Sequence, residues 1–180
     1  MFRELLFNEF RPYAKLTDAQ LDQLERHYQA LHRWNIKLNL TRINDLSEIV
    51  RFHYCESLYL GLKLPPGPLR VADVGSGGGF PGIPVSILRP DLEVTLIESH
   101  QRKAVFLRES SNLRVLAMRA EDCQESFDWI ISRAVSPDSV RSLKLAPNFA
   151  LLVTSHDSAH KLPWGKDRTL VFHVEHGKIS

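Results

Sequence analysis

The segment that could carry chemistry is a run of glycines between an apolar stretch and a helix-like stretch. Residues 73–79 read Asp-Val-Gly-Ser-Gly-Gly-Gly and overlap the end of the apolar residues 69–74. A strand that ends in glycines and leads into a helix exposes backbone N–H groups, against which a nucleotide-like ligand can lie. A tight turn without a ligand is the alternative, but consecutive glycines cost backbone entropy without adding packing. The run therefore predicts a nucleotide-type cofactor site.

Two carboxylates indicate which cofactor this site would take. Asp73 precedes the first glycine, where it would repel a pyrophosphate and attract a cationic amino-acid group; S-adenosylmethionine carries such a group and no phosphate. Glu98 follows the next apolar run about 20 residues later, where a carboxylate receives ribose hydroxyls in such folds. Gly77, Gly79 and Gly82 also satisfy the dinucleotide pattern, so an NAD-dependent oxidoreductase is an alternative. Asp73 and the lack of a substrate domain argue against it.

The first part of the chain, residues 1–64, has the pattern of a helical extension. Thr17 is a predicted N-cap, and Gln20 three residues later completes a capping box. A second helix is predicted to begin after Asn44 or Asp45. Apolar residues recur at helical spacing in the first of these helices and predict a packing surface: Leu21, Leu24, Tyr28 and Leu31.

The rest of the chain, residues 65–180, alternates between strand and helix patterns. Residues 65–68, Pro-Pro-Gly-Pro, end any helix before it. This alternation predicts an α/β fold with a doubly wound, mostly parallel sheet, in one compact unit with the helical extension. Strands are predicted at residues 69–74, 94–97, 113–117, 129–132, 150–153 and 170–174, with helices at 82–88 and 102–109. In this architecture ligands gather at the carboxyl ends of the strands, where the following residues fall: Asp73, Gly75, Glu98, Ala120 and Ser132.

The composition excludes several classes of protein. The chain has 180 residues, 43% of them hydrophobic, and a net charge of +2, which is enough for one sizeable core. It has no run of 18 apolar residues, and its first residues lack a signal-peptide pattern. We therefore expect a cytoplasmic monomer without a membrane span. We also expect no metal site, because the cysteines and the closely spaced histidines form no ligand grouping: Cys55, Cys123, His156, His160, His173 and His176.

Three motifs together resemble one protein family. Residues 34–41 read Trp-Asn-Ile-Lys-Leu-Asn-Leu-Thr, residues 71–84 read Val-Ala-Asp-Val-Gly-Ser-Gly-Gly-Gly-Phe-Pro-Gly-Ile-Pro, and residues 131–134 read Ile-Ser-Arg-Ala. From about Leu16 to Val135 the chain resembles the bacterial 16S rRNA guanine-N7 methyltransferase family, RsmG, long called glucose-inhibited division protein B. The resemblance implies a Rossmann-like fold that binds S-adenosylmethionine.

The resemblance also implies roles for individual residues at the cofactor site. Gly75 and Phe80 would line the methionine side, Glu98 would hold the ribose, and Ala120 and Glu121 would flank the adenine. The complete set of expected cofactor-binding residues is Asp73, Gly75, Gly77, Phe80, Glu98, Ala120, Glu121 and Arg133.

The implied reaction is methyl transfer to N7 of a guanine in 16S rRNA, so the partner would be this RNA or the small ribosomal subunit. The N7 lone pair carries no proton, so its attack needs no general base, and positioning carries most of the catalysis. The lack of an obvious acid–base pair fits this target, but it also fits a non-catalytic binder. Arg133 is the candidate catalytic residue, placed by the resemblance near the transferred methyl group or the RNA. Arg42, Arg119 and Arg168 are the candidate RNA contacts, because guanidinium groups suit phosphates and guanine edges.

The chain departs from the family pattern in places that bear on activity. Position 52, usually basic in the family, is Phe52, and the Lys-Gly pair that most relatives carry after the strand at 151–153 is replaced by Thr154, Ser155 and His156. The segments 107–115 and 136–150 are also short. The alternative hypothesis is therefore a catalytically weakened module that binds S-adenosylmethionine and RNA.

Overall fold

The structure is a computed structural model that describes residues 1–133, 135–154, 160–165 and 167–175. Three residues discussed above, Ser155, His156 and His176, lie outside the described residues, as does the last residue of the motif at 131–134. Within the described residues, no helix is long and apolar enough to cross a bilayer.

Six strands form one sheet in the order β3-β2-β1-β4-β5-β6. All neighbouring pairs are parallel except β5 and β6, which run antiparallel. The predicted α/β fold with a mostly parallel, doubly wound sheet is confirmed. The strands are β1 (Arg70–Val74), β2 (Glu93–Ile97), β3 (Arg114–Leu116), β4 (Trp129–Arg133), β5 (Asn148–Thr154) and β6 (Arg168–His173).

Helices precede and connect the strands. The region before β1 is helical, as predicted, and includes a helix at its very start that the sequence patterns did not separate. Between α3 and α4 the same helical run passes through a π-helical segment, Val50–Cys55, which we call the π segment. The helices are α1 (Phe2–Phe10), α2 (Asp18–Leu38), α3 (Leu46–Ile49), α4 (Glu56–Lys63), α5 (Gly82–Leu88), α6 (Gln101–Ser110) and α7 (Pro137–Leu143).

Side-chain caps set where the N-terminal helices begin. Thr17 Oγ1 accepts a hydrogen bond from Gln20 N at 3.2 Å, and Gln20 Oε1 accepts one from Thr17 N at 2.9 Å, which confirms the predicted capping box. Asp45 caps α3 by accepting from Glu48 N at 3.0 Å, as the predicted start of the second helix requires. Asn39 ends α2 in the left-handed conformation, with φ of 48°. An Asn at that position tolerates this conformation better than most residues.

A hydrophobic core lies on each face of the sheet, because successive strand residues point to opposite faces. On one face, strand residues such as Val71 and Ile131 pack in a core that includes residues of α1, α2, α4, α5 and α6. On the other face, Ala72 and Ile130 pack in a smaller core with Val140 of α7. The N-terminal helices therefore share one core with the sheet, and this core brings the π segment to the carboxyl ends of β1 and β4.

A buried ion pair joins the N-terminal helices to the last strand. Glu56, the first residue of α4, is fully buried. Its carboxylate accepts hydrogen bonds from Arg168 Nε and, at 2.6 Å, from Arg168 Nη2. Arg133 Nη2 lies 3.7 Å from Glu56 Oε2. Burial raises the pKa of Glu56, whereas the Arg168 hydrogen bonds and the two guanidinium charges oppose that rise.

We predict that Glu56→Gln lowers the free energy of unfolding by about 3–5 kcal/mol, because it leaves two buried or half-buried guanidinium groups without their counter-charge. Urea unfolding measures this change. Asp138→Asn is the matched control, since Asp138 pairs with Arg141 on the surface and its loss should cost less than about 1 kcal/mol. Equal effects of the two substitutions would contradict the role given to Glu56.

Candidate cofactor and substrate site

The glycine loop between β1 and α5 is held in place by the end of the neighbouring strand β2. Gly75 N and Ser76 N donate to Ile97 O at 2.9 and 3.2 Å, so the loop begins against the end of β2. Gly75 has a φ of 72°, which favours glycine, and a Cβ added there would meet nothing within 4 Å. This open space and the loop's position at the β1–β4 switch in strand order are what a ligand site requires.

Asp73 lies beneath the glycine loop and is fully buried. Its Oδ2 accepts a hydrogen bond from Gly82 N at 2.9 Å. Its Oδ1 is buried without a hydrogen-bond partner in the structure. Burial raises the pKa of Asp73 to about 7, and the Gly82 N–H opposes this rise. A buried carboxylate oxygen without a donor is costly, so this atom is suited to a cationic or hydrogen-bonding ligand group.

Glu98 ties the glycine loop to the end of β2. Its Oε2 accepts from Gly77 N at 2.8 Å, and its Oε1 accepts from His100 N at 2.9 Å. The carboxylate is nearly buried and retains acceptor capacity, since each oxygen has more than one lone pair. Glu98 and Gly77 were predicted separately as cofactor contacts, and the structure brings them together through this hydrogen bond.

A cleft of about 290 Å³ opens beside Gly75 at the carboxyl edge of the sheet. The predicted adenine neighbours Ala120 and Glu121 belong to its wall, as does Arg119. Val74 and Ile97 line it from the ends of β1 and β2, whereas the sequence patterns did not identify Met118, Val135 and Leu143, which loops and α7 contribute. The cleft is lined by Val74, Gly75, Ile97, Ser99, Met118, Arg119, Ala120, Glu121, Val135, Ser139 and Leu143.

Arg133, at the end of β4, points to the face opposite this cleft, toward the N-terminal helices. Its Nη1 is 2.9 Å from His53 Nδ1, and its guanidinium lies 5.8 Å from the centre of the Phe80 ring. Its Nε is buried without a hydrogen-bond partner in the structure. Burial lowers the pKa of Arg133 to about 10, while the nearby Glu56 carboxylate opposes this shift. The guanidinium therefore stays charged at neutral pH and keeps one unused donor.

Phe80 is buried inside an aromatic cluster and does not line the cleft. Its ring stacks on His53 with centroids 4.7 Å apart and meets Tyr54 edge-on at 5.1 Å. His27 also meets it edge-on at 5.2 Å. Phe80 therefore lies between the glycine loop and the Arg133 side of the site, where it supports both.

The three candidate RNA contacts have different surroundings. Arg119 is exposed and its Nε lies 3.7 Å from Glu121 Oε2, while Arg42 is exposed in the turn that follows α2. Arg168 instead has its guanidinium on the buried Glu56 carboxylate and above the Phe52 ring at 5.2 Å. The structure thus gives Arg168 a structural partner that the sequence did not indicate.

Sequence reasoning missed two buried polar residues at this site. His27 belongs to the apolar stripe of α2, and its Nε2 lies 3.0 Å from Gly78 O while its Nδ1 lies 2.8 Å from Tyr54 Oη. Burial lowers the pKa of His27 to about 4, so the neutral ring donates to the glycine loop. Glu56 was the other. A polar residue within an apolar helical stripe was the available signal in both cases.

No group of three or more His, Cys, Asp or Glu side chains that could hold a metal ion occurs among the residues that the structure describes.

The fold and the cleft at the carboxyl edge of the sheet define a protein of the Rossmann-like methyltransferase class. Two solved structures support this fold. A "predicted O-methyltransferase" from Agrobacterium tumefaciens is 20% identical with a TM-score of 0.53, covering 68% of this chain and 81% of that one. A structure described as a protein-L-isoaspartate O-methyltransferase from Plasmodium falciparum, in complex with S-adenosyl-L-homocysteine, is 15% identical with a TM-score of 0.51, covering 98% and 90%.

Sequence comparison identifies the family within this class. The profile of GidB, described as rRNA small subunit methyltransferase G, matches residues 20–148. A relative named ribosomal RNA small subunit methyltransferase G from Roseiflexus sp. (strain RS-1) is 38% identical over 74% of this chain and 62% of its own length. One of the same name from Geobacter sp. (strain M21) is 43% identical over 68% and 61%, and one from Chloroflexus aggregans is 33% identical over 92% and 75%. The chain belongs to the GidB family, and it spans about three fifths of the length of the first two of these relatives.

We predict that Gly82→Ala destabilises the protein by about 1–3 kcal/mol through overpacking. A Cβ at Gly82 would lie 2.5 Å from Asp73 Oδ2 and 2.5 Å from Leu96 Cδ2, and Asp73 cannot move without losing its bond to Gly82 N. Thermal or urea unfolding measures the change. Gly61→Ala in α4 is the control. Its Cβ would lie 3.3 Å from Leu88 Cδ2, the end of a side chain that has to give by only a few tenths of an ångström, and alanine favours the helix. A Gly82→Ala protein as stable as the Gly61→Ala protein would show that α5 does not need this close approach.

Proposed function

We propose that this chain binds S-adenosylmethionine and transfers its methyl group to N7 of a guanine in 16S ribosomal RNA. The observation that carries the proposal is the buried, unpartnered Oδ1 of Asp73, two residues before the open Gly75 at the mouth of the cleft. Membership of the GidB family supports the choice of reaction and of ribosomal RNA as the substrate.

The residues around the cleft fit an S-adenosylmethionine molecule. Asp73 would attract the amino group of the methionine part, and the bare backbone at Gly75 and Gly77 would let that part approach. Glu98 would receive the ribose hydroxyls with its remaining lone pairs. Ala120 and Glu121 would flank the adenine in the wall of the cleft. Phe80, whose ring is buried, would support the methionine side from behind the loop.

The reaction requires positioning more than proton transfer. S-adenosylmethionine, when bound, supplies an electrophilic methyl group on a sulfonium ion. The guanine N7 lone pair forms the new bond to carbon as the carbon–sulfur bond breaks, and no proton moves. The protein therefore has to hold the guanine in line with the methyl group, and well-oriented reactants account for a large part of such a rate enhancement.

Arg133 is the proposed catalytic residue that holds the guanine. Its charged guanidinium lies at the carboxyl end of β4, and its Nε–H has no acceptor in the structure. Guanidinium donors match the O6 edge of guanine and the oxygens of phosphate. Arg42, Arg119 and Arg168 are proposed as further RNA contacts, with Arg168 limited by its pairing to Glu56. In this role the protein acts in the cytoplasm as a monomer, without a metal ion, on 16S rRNA or the small ribosomal subunit.

We predict that S-adenosylmethionine binds on the order of tenfold more tightly at pH about 7 than at pH about 5.5, provided the amino group meets ionised Asp73. The pKa of Asp73 is raised to about 7, so lowering the pH protonates this carboxyl and removes its charge. Calorimetric titration measures the affinity. Asp73→Asn should bind weakly at both pH values, whereas Asp91→Asn, which removes an exposed partner of Arg89, should behave like the original protein. Saturable binding of NAD instead would contradict the proposal.

We predict multiple-turnover methylation of small ribosomal subunits isolated from cells that lack this protein. The product is N7-methylguanine in 16S rRNA, measured by mass spectrometry of nuclease digests. Arg133→Lys should reduce turnover at least tenfold because a lysine cannot reproduce the guanidinium fork. Arg141→Lys, at an exposed site in α7, is the matched control.

Cofactor binding without turnover on ribosomal subunits would overturn the proposed reaction. It would favour the alternative of a catalytically weakened RNA-binding module, for which the shortened segments and the missing Lys-Gly pair are the motivation. Ribosomal RNA that keeps its full set of N7-methylguanines in cells lacking the protein would also contradict the proposal.

A further inference from the structure

A continuous series of hydrogen bonds runs from the end of α2 to Arg133. Thr41 N donates to Asn35 Oδ1 at 2.8 Å, which fixes the turn after α2. Thr41 Oγ1 lies 2.7 Å from His53 Nε2, and His53 Nδ1 lies 2.9 Å from Arg133 Nη1. His53 thus connects the N-terminal helices to the proposed catalytic arginine at the end of β4.

The chemistry of the partners determines where the protons are. An arginine side chain can only donate hydrogen bonds, so the short contact to Arg133 requires a lone pair on His53 Nδ1. In the neutral ring the proton is then on Nε2, which donates to Thr41 Oγ1. Thr41 Oγ1 also accepts from Ile43 N at 3.1 Å. The hydroxyl can accept from His53 Nε2 as well, so it supports the tautomer that the Arg133 contact imposes.

The charges around His53 favour the neutral ring. Arg133 from β4 and Arg168 from β6 face it with two positive charges, and His27 approaches from α2. Glu56 on the following helix is shared between those two arginines, and Asp73 from β1 lies near Arg133. Burial, followed by the charges of Arg133 and Arg168, holds the pKa of His53 well below its usual range.

We propose that His53 is a positioning residue for the methyl transfer: its neutral ring, held by Thr41 and stacked on Phe80, fixes the guanidinium of Arg133 at the substrate. This inference rests on the proposed function and adds to it a requirement for one histidine tautomer. The Nη1 group of Arg133 is used for this contact, while its Nε–H is left for the substrate.

Two substitutions of His53 separate its two hydrogen bonds. In His53→Asn the amide oxygen can take the place of Nδ1 and accept from Arg133, but no group reaches Thr41. In His53→Gln the amide nitrogen can take the place of Nε2 and donate to Thr41, but the acceptor at Nδ1 is lost. Arg133 then keeps only its longer contacts, to the backbone oxygen of residue 53 at 3.5 Å and to Glu56 at 3.7 Å. Both variants lose the stacking on Phe80 and both carry a neutral amide, so the main difference between them is which contact survives.

We predict that His53→Gln reduces turnover on ribosomal subunits by roughly tenfold or more, and that His53→Asn keeps most of it, because a hydrogen bond to a charged group is worth more than a neutral one. S-adenosylmethionine affinity should be equal in the two variants. With saturating cofactor, turnover of the original protein should fall as the pH drops through the lowered pKa of His53, because the protonated ring cannot accept from Arg133. His53→Asn should not show this fall. Equal turnover of the two variants, or a fall of turnover with pH that persists in His53→Asn, would overturn the proposal.

The position of Arg133 can be measured without activity, which separates this proposal from the reaction itself. In the original protein and in His53→Asn, the Arg133 side-chain NH resonances should be resolved in a ¹⁵N-arginine NMR spectrum, with slow exchange; in His53→Gln they should be lost or averaged. Thr41→Ser and Thr41→Val provide a second matched pair in which the histidine is retained, and only Thr41→Val should mobilise Arg133. Unchanged Arg133 signals in both His53→Gln and Thr41→Val would refute the positioning role even if methylation is observed.

Discussion

The carboxylate of Glu56 is fully buried and shared by two guanidinium groups, one from the last strand and one from the end of β4. A buried charge without such partners would cost several kcal/mol. The fold therefore has to keep α4, β4 and β6 together so that the Glu56 carboxylate and the two guanidinium groups neutralise each other. The π segment directly precedes Glu56, so the same constraint determines where His53 and Tyr54 lie. The local widening of the helix there agrees with the tendency of π-helical turns to occur at functional sites.

Burial then sets the protonation states around this ion pair. Burial and the two neighbouring positive charges keep His53 neutral, and His27 is neutral because it is buried on the other side of Phe80. Two uncharged histidines can each use one nitrogen as an acceptor and the other as a donor. His27 donates a hydrogen bond to the carbonyl of Gly78 in the glycine loop, and His53 accepts one from Arg133. The helical extension thus contacts both the glycine loop and Arg133 through a neutral histidine.

The placement of the glycine loop and its neighbouring carboxylates could be predicted from the sequence because these residues are local to strand ends. Asp73, Gly75 and Glu98 each follow or end an apolar run, and parallel strands bring their carboxyl ends to one edge. The caps at Thr17 and Asp45 were predictable for the same reason, since each involves residues three positions apart. The antiparallel last strand was not predictable, because nothing in residues 168–173 distinguishes the two directions.

The surroundings of Arg133 could not be predicted in the same way, because they are assembled from distant parts of the chain. His53 and Arg133 are 80 residues apart, and Glu56 and Arg168 are 112 residues apart. No spacing rule connects such pairs, and the sequence does not distinguish a buried arginine from an exposed one. Arg168 illustrates the result: it was predicted as an RNA contact, and the structure adds an ion pair with Glu56 that no spacing in the sequence indicated. Among the described residues, the hydrogen bonds that lead from Thr41 to the Arg133 guanidinium pass through His53. Substitutions of polar residues in the helical extension would therefore act on Arg133, although these residues are far from the glycine motif in sequence.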